Sequence, residues 1–124
     1  MNFNWSEYLT LAQELAGRVA GSSQEAKLRS AISRAYYGAF CSTKNYLIKQ
    51  GHEIPKTGEA HKVVREIFIN KKDLLSKQIE SNLDRLRKDR NDADYEDQFP
   101  GALNEKTALD LSRAQKVLND LAKC

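Results

Sequence analysis

The chain is organised around one segment, Leu75-Ser-Lys-Gln-Ile79-Glu-Ser-Asn-Leu83-Asp-Arg-Leu86-Arg-Lys-Asp-Arg90-Asn-Asp-Ala-Asp94-Tyr95. Leucine and isoleucine recur along it at steps of four, four and three residues up to Leu86, which is the spacing of an amphipathic helix. The next position in this series is Arg90, and Asp94 follows one helical turn later. A charge on a core-facing stripe costs free energy unless it is paired or used. Arg90 is therefore the first candidate functional residue.

The length and composition indicate one globular domain, residues 1–124. The chain has 124 residues, of which 40% are hydrophobic and 30% charged, and this size suits a single core. No apolar run approaches the roughly 18 residues that span a bilayer. The N-terminal stretch Met1–Trp5 lacks the basic and apolar regions of a signal peptide. We therefore expect a cytoplasmic protein without a membrane segment, in which Cys41 and Cys124 form no disulfide.

Helical periodicity dominates the sequence, and no strand-like alternation stands out. Asn4 with Glu7, and Ser22 with Glu25, resemble helix-capping boxes, and Asp73 is a candidate cap further on. The predicted helices run from Asn4 to Gly21, from Ser22 to about Gln50, over a short stretch around His61–Phe68, from Asp73 into Asp92–Asp97, and from near Asn104 onward. Short connections between such helices favour antiparallel packing. The predicted fold class is all-α, an up-and-down four-helix bundle with one additional short helix.

The predicted core consists of the apolar residues on the inner stripes of these helices. Its members are Leu9, Leu15, Leu28, Ile32, Tyr36, Phe40, Leu47, Val64, Phe68, Ile79, Leu83, Leu86, Leu111, Leu118 and Leu121. For the last helix, the predicted inner stripe also includes Thr107 or Ala108, and Ala114.

The middle of the second helix reads Ser33-Arg-Ala-Tyr-Tyr-Gly-Ala-Phe40. Its small residues permit close approach of another helix. Its two tyrosines point about 100° apart on a helix, so one can join the core while the other faces a neighbouring seam. In an antiparallel bundle this region can lie opposite Arg90. The tyrosine hydroxyls and the Asp94 carboxylate would then hold the Arg90 guanidinium. Two interpretations stay open at this point: a polar cluster that fixes helix register, or an anion site for a phosphodiester.

Several kinds of site are excluded by the motifs. The chain has no glycine-rich phosphate loop, no Cys-x-x-Cys and no His-Glu-x-x-His. Its two histidines are too few to indicate a metal cluster, so we expect neither a metal nor a cofactor. The net charge of +3 is too weak to prove nucleic-acid binding. Seven basic residues between positions 71 and 90 form either a phosphate-facing surface or an ordinary solvated helix face.

Three stretches in order resemble the HEPN superfamily: Ser33–Phe40, His61-Lys-Val-Val-Arg-Glu-Ile-Phe68 and Arg90-Asn-Asp-Ala-Asp-Tyr95. Together they span most of the chain. The pair Ala-Tyr-Tyr-small-small-Phe and Arg-x-x-Ala-Asp-Tyr is typical of one bacterial and archaeal branch of small HEPN proteins. The resemblance implies a helical bundle that is commonly a homodimer.

The resemblance also implies a chemistry. Many HEPN proteins are metal-independent endoribonucleases in which an Arg binds the scissile phosphate and a His a few positions later acts as general acid–base. Arg90 and Asn91 match the start of this motif, but Tyr95 stands in the His position. A tyrosine hydroxyl, with a pKa of about 10, is a poor base at neutral pH, which makes His61 the candidate substitute. The resemblance and the residue pattern together place Arg87, Tyr36, Tyr37 and Asp94 in the phosphate- or RNA-binding site.

Two functions follow from the resemblance. One is an RNA-directed toxin or defence ribonuclease, paired with a small nucleotidyltransferase antitoxin. The other is a non-catalytic module that binds a nucleotide or RNA, or serves as the accessory subunit of a nucleotidyltransferase. A third alternative is a purely structural dimerisation domain in which Arg90 only sets helix register.

Overall fold

The computed structural model describes residues 3–17 and 24–124, and this part of the chain is all-α, as predicted. It contains no strand. The helices are α1 (Glu7–Gly17), α2 (Gln24–Lys49), α3 (Ala60–Lys71), α4 (Leu74–Tyr95) and α5 (Leu103–Lys123). The long α2 packs against each of the other four helices. Nowhere in these two ranges does a helix have the length and apolar character needed to cross a membrane.

The helix boundaries follow local capping chemistry. The Asp73 carboxylate accepts a hydrogen bond from the Ser76 backbone N–H at 2.9 Å and starts α4, as predicted. Gly51, with φ of 95°, terminates the last turn of α2, since only glycine enters that region without strain. The first helix begins at Glu7 rather than Asn4, because the Asn4 side chain bonds the backbone N–H of Ser6 at 3.2 Å in a turn before the helix. The predicted boundary at Gly21 and Ser22 lies outside the described residues.

The core lies around α2 and follows most of the predicted apolar stripes. The predicted core residues that are buried are Leu9, Leu28, Ile32, Tyr36, Phe40, Leu47, Val64, Phe68, Ile79, Leu83 and Leu86. Close helix approach occurs at Gly38, where an added Cβ would lie 3.1 Å from the Leu9 backbone nitrogen and 3.3 Å from the Trp5 carbonyl oxygen. A side chain at this position would push the start of α1 away from α2.

The inner face of α5 differs from the predicted leucine stripe. Its buried residues are Thr107, Asp110, Ala114, Val117 and Asp120. The leucines at positions 111, 118 and 121 are only partly buried and pack against the edge of the core, and Ala108 is exposed. Relative to the prediction, α5 is rotated about its axis, and this rotation places the carboxylates of Asp110 and Asp120 inside the bundle. Apolar periodicity could not indicate this, because it treats aspartate as a surface residue.

A network of charged side chains joins α4 to α5. The Arg113 guanidinium donates to Asp110 at 2.8 Å and to Asp89 at 3.3 Å, and Lys106 lies 3.7 Å from Asp89. Asp110 is fully buried. Burial, and then the hydrogen bond and negative charge of Asp89, raise the pKa of the Asp110 carboxyl above its usual 3.8. A protonated Asp110 can donate to the Asp89 carboxylate, which relieves the repulsion between two buried acids.

The raised pKa of Asp110 makes stability depend on pH in a defined direction. The folded protein holds the Asp110 proton at a pH where the unfolded chain has released it, so this contribution to stability is lost as pH rises from about 4 to the raised value. Asp110→Asn keeps a donor for Asp89 and an acceptor for Arg113 but cannot ionise. We expect the variant to gain on the order of 1–2 kcal/mol over the wild type at pH 9 relative to pH 5.

Urea unfolding at the two pH values measures this difference. Glu66→Gln, which removes an exposed carboxylate on α3, is the matched control and should show no such gain. If the stability of Asp110→Asn changes with pH as that of the wild type does, Asp110 is not protonated in the way inferred from its raised pKa.

Candidate anion-binding site

Arg90 lies where the end of α4 meets the middle of α2. Its guanidinium carbon is 4.9 Å from the centroid of the Tyr36 ring and 5.5 Å from that of Tyr37. Its side chain is 14% exposed, and Asp94 lies one turn further on with a closest N···O distance of 4.0 Å. Cation–π contact with two aromatic faces therefore does more to hold this cation than the distant carboxylate does.

The end of α4 is anchored by other side chains on the same face of α2. The Arg29 guanidinium donates to the carbonyl oxygens of Ala93, Glu96 and Asp97 at 3.1, 2.6 and 3.2 Å. It thus satisfies carbonyls that a helix C-terminus leaves unpaired and opposes their partial negative charge. One turn along α2, Ser33 donates to the Asp94 carboxylate at 3.3 Å.

A cavity of about 530 Å³ opens beside Arg90, between α2, α4 and the start of α3. Four cations line it: Lys44, Lys56, Arg87 and Arg90. No carboxylate from the described part of the chain is among its lining residues. Its aromatic wall comprises Tyr36, Tyr37, Phe40 and His61. The cavity is therefore strongly electropositive with flat, apolar surfaces, a combination suited to a phosphate attached to a planar group.

His61 lies in this wall as a neutral imidazole. Its Nδ1 is 3.3 Å from the Tyr36 hydroxyl oxygen, and its ring stacks on Phe40 with centroids 5.6 Å apart. Burial, followed by the positive charge of Arg87, lowers the pKa of His61 to about 4. Nε2 is buried and has no hydrogen-bond partner among the described residues. At neutral pH the ring is therefore uncharged.

Tyr36 is a hydrogen-bonding partner whose own proton is firmly held. Burial raises the pKa of Tyr36 to about 12, although the charge of Arg90 acts in the opposite direction. The hydroxyl stays protonated throughout the physiological range and can donate to Nδ1 of His61. In the other tautomer the Nδ1–H donates to the Tyr36 oxygen, and the Nε2 lone pair is free to accept a proton.

The structure brings together five of the eight residues expected at the site: Tyr36, Tyr37, His61, Arg87 and Arg90. Asp94 adjoins them through Arg90. Asn91 and Tyr95 do not line the cavity of this chain, and Tyr95 is 73% exposed on the outer side of α4.

The sequence-based reasoning missed Lys44 and Lys56. Helical spacing could have indicated Lys44, since it follows Tyr37 by seven residues on the same face of α2. Lys56 belongs to the loop after Pro55 and reaches the cavity only through the path of that loop. No periodic pattern reports such a position.

Comparison with known proteins identifies the family of the chain. The family model described as HEPN domain matches residues 7–123, so the chain belongs to the HEPN family. HEPN domains are generally associated with ribonuclease or nucleotide-related functions, and they often dimerise. Searches among curated proteins and among solved structures gave no match.

The charge of Arg87 provides a test of the site's electrostatics. Since this charge disfavours the imidazolium form, we expect Arg87→Gln to raise the pKa of His61 above its value of about 4. The pKa should stay below the usual 6.5, because burial, the larger cause, is unchanged. An NMR titration of the ring resonances measures it, with His52, which does not line the cavity, as the second histidine signal.

Arg85→Gln is the matched control, because Arg85 is an exposed residue of α4 outside the cavity lining. It should leave the His61 titration unchanged. An unchanged His61 pKa in Arg87→Gln would show that the two side chains are not coupled.

Proposed function

We propose that this protein binds and acts on RNA or nucleotide phosphate, with the phosphate seated in the cavity beside Arg90. The observation that carries this proposal is the cavity's lining, which has four cations and no carboxylate among the described residues. None of the ion pairs formed by the described residues involves Lys44, Lys56 or Arg87. These charges are available to a ligand.

In the proposed binding mode, the cationic and the aromatic lining residues of the cavity have different roles. Arg90 and Arg87 present guanidinium groups, whose planar donors match the oxygens of a phosphate. Tyr37 and His61, the aromatic lining residues that are only partly buried, offer ring faces on which a base can stack. A volume of about 530 Å³ lies within the range of roughly 300–1,000 Å³ that is usual for small-ligand sites. The fit is to a nucleotide unit rather than to a lone inorganic ion.

We further propose that the bound phosphodiester is cleaved, as in a metal-independent endoribonuclease of the toxin or defence type. Neutral His61 would accept the proton of the RNA 2′-hydroxyl, and the 2′-oxygen would attack the phosphorus to form a 2′,3′-cyclic phosphate while the bond to the 5′-oxygen breaks. The imidazolium would return its proton to the leaving 5′-oxygen, and Arg90 would stabilise the charge that develops on the phosphate. A bound phosphate also favours the imidazolium form and would strengthen His61 as a base.

Asn91 and Tyr95 enter this proposal only through a second copy of the chain. Both lie outside the cavity lining, so a partner protomer would have to bring them to the reacting phosphate. The frequent dimerisation of HEPN domains supports a homodimer of this kind.

The alternative is a non-catalytic module that binds a nucleotide or RNA, for example as the accessory partner of a small nucleotidyltransferase. Two observations favour it: no histidine follows Arg90 in the sequence, and the lowered pKa of His61 makes it a weak base. In either case the protein would work in the cytoplasm on an anionic ligand.

Removing the Arg90 guanidinium should weaken phosphate binding. We expect Arg90→Ala to lower affinity for a short fluorescent oligoribonucleotide by about tenfold or more, the loss typical of a charged phosphate contact. Fluorescence anisotropy measures the Kd, and Arg85→Ala is the matched control on the same helix. Equal affinity in wild type and Arg90→Ala would refute the assigned site.

A parallel urea titration checks that the Arg90→Ala protein is folded. Because Asp94 is 29% exposed and remains solvated, we expect a stability loss of about 1–2 kcal/mol, mainly from the cation–π contacts. This is less than the roughly 3–5 kcal/mol expected if the variant stranded a fully buried charge.

Incubation with total RNA in the presence of a chelator distinguishes the catalytic function from the alternative. We expect wild-type protein to cleave RNA and both Arg90→Ala and His61→Gln to lose at least a hundredfold in rate, the usual contribution of a general base. Arg85→Ala should retain wild-type activity. Negligible cleavage by wild type and variants alike, at concentrations where the wild type binds RNA, would leave only the non-catalytic function.

A further inference from the structure

A second recess, of about 370 Å³, adjoins the cavity between the start of α3 and the outer side of α4. The two spaces share Gly58, His61 and Arg87 as lining residues. Beyond this shared wall, α3 contributes Lys62 and Arg65 to the second recess. The cavity and the second recess are therefore continuous across Arg87.

The charges of the second recess are mixed. Its carboxylates are Glu59 and Asp84, and Asp84 is paired with Lys88 at 3.3 Å. Arg65 is bound to Glu80 at 2.7 Å. Among the described residues, Lys62 and Arg87 form no ion pair. Two cations are thus available in a recess that is less positive than the cavity.

This difference decides what kind of ligand the recess can take. A free phosphate would favour the cavity, whose lining has no carboxylate among the described residues, over a recess with Glu59 and Asp84 in its wall. A phosphate tethered to one already bound in the cavity is delivered at a high effective concentration, so a weak site is sufficient. Arg87 belongs to both walls and can contact either phosphate.

We propose that the recess is a subsite for the phosphate adjacent to the one held at Arg90, with Lys62 as its cation and Arg87 between the two. The inference rests on the proposed phosphate site and deepens it. The preferred ligand is then an oligoribonucleotide with at least two consecutive phosphates, and a mononucleotide fills only the cavity.

The test compares uridine 5′-monophosphate with a uridine tetranucleotide on the full chain. We expect the tetranucleotide to bind more tightly, and Lys62→Ser to lower its affinity roughly threefold to tenfold and to reduce the salt slope of binding by about one. Lys62→Ser should leave the affinity for the monophosphate unchanged. Lys71→Ser, on the exposed far end of the same helix, is the matched control and should alter neither.

The possible results separate this inference from the function on which it rests. If Lys62→Ser and Lys71→Ser affect the tetranucleotide equally, or if both ligands bind wild type equally well, the second subsite is wrong. The proposed function still stands in that case, provided that Arg90→Ala weakens both ligands. If Arg90→Ala weakens neither ligand, the proposed function is wrong and the subsite with it.

Discussion

The stacking of Arg90 on Tyr36 and Tyr37 joins the end of α4 to the middle of α2, and the site depends on it. A guanidinium that is mostly out of water needs compensation, and its carboxylate partner Asp94 is 4.0 Å away. The two ring faces supply a favourable field at 4.9 and 5.5 Å without neutralising the charge. The cation is therefore held in place and yet remains able to bind an anion.

The end of α4 is fixed on both flanks by charged groups. On the α2 side, Arg29 donates to three carbonyl oxygens, one in the last turn of the helix and two just beyond its end. On the α5 side, Arg113 bridges Asp89 and the buried Asp110. Asp89 is the chain neighbour of Arg90, so the network that joins α4 to α5 also limits movement of the site. Register and anion binding, the two open interpretations of Arg90, are thus compatible roles of one arrangement.

The cavity is electropositive because four cations and, among the described residues, no carboxylate line it. The positive charges of Arg87, Arg65 and Arg90 add to burial in keeping His61 neutral, and the negative charge of Asp84 acts in the opposite direction. A bound phosphate would cancel part of the positive field and raise the affinity of the imidazole for a proton. The acid–base behaviour of the site is in this way linked to occupancy, which joins the proposed binding and the proposed catalysis.

Periodicity and capping determined much by themselves: five helices, the buried stripes of α2 and α4, and the cap at Asp73, because these depend on residues within a few turns of one another. The motif around Arg90 pointed to its aromatic neighbours. Only the tertiary structure decided three features. These are the rotation of α5 that buries Asp110, the loop path that places Lys56 at the cavity, and the exposed position of Tyr95. These features arise from how helices rotate and connect in space, which depends on packing against distant residues rather than on local pattern.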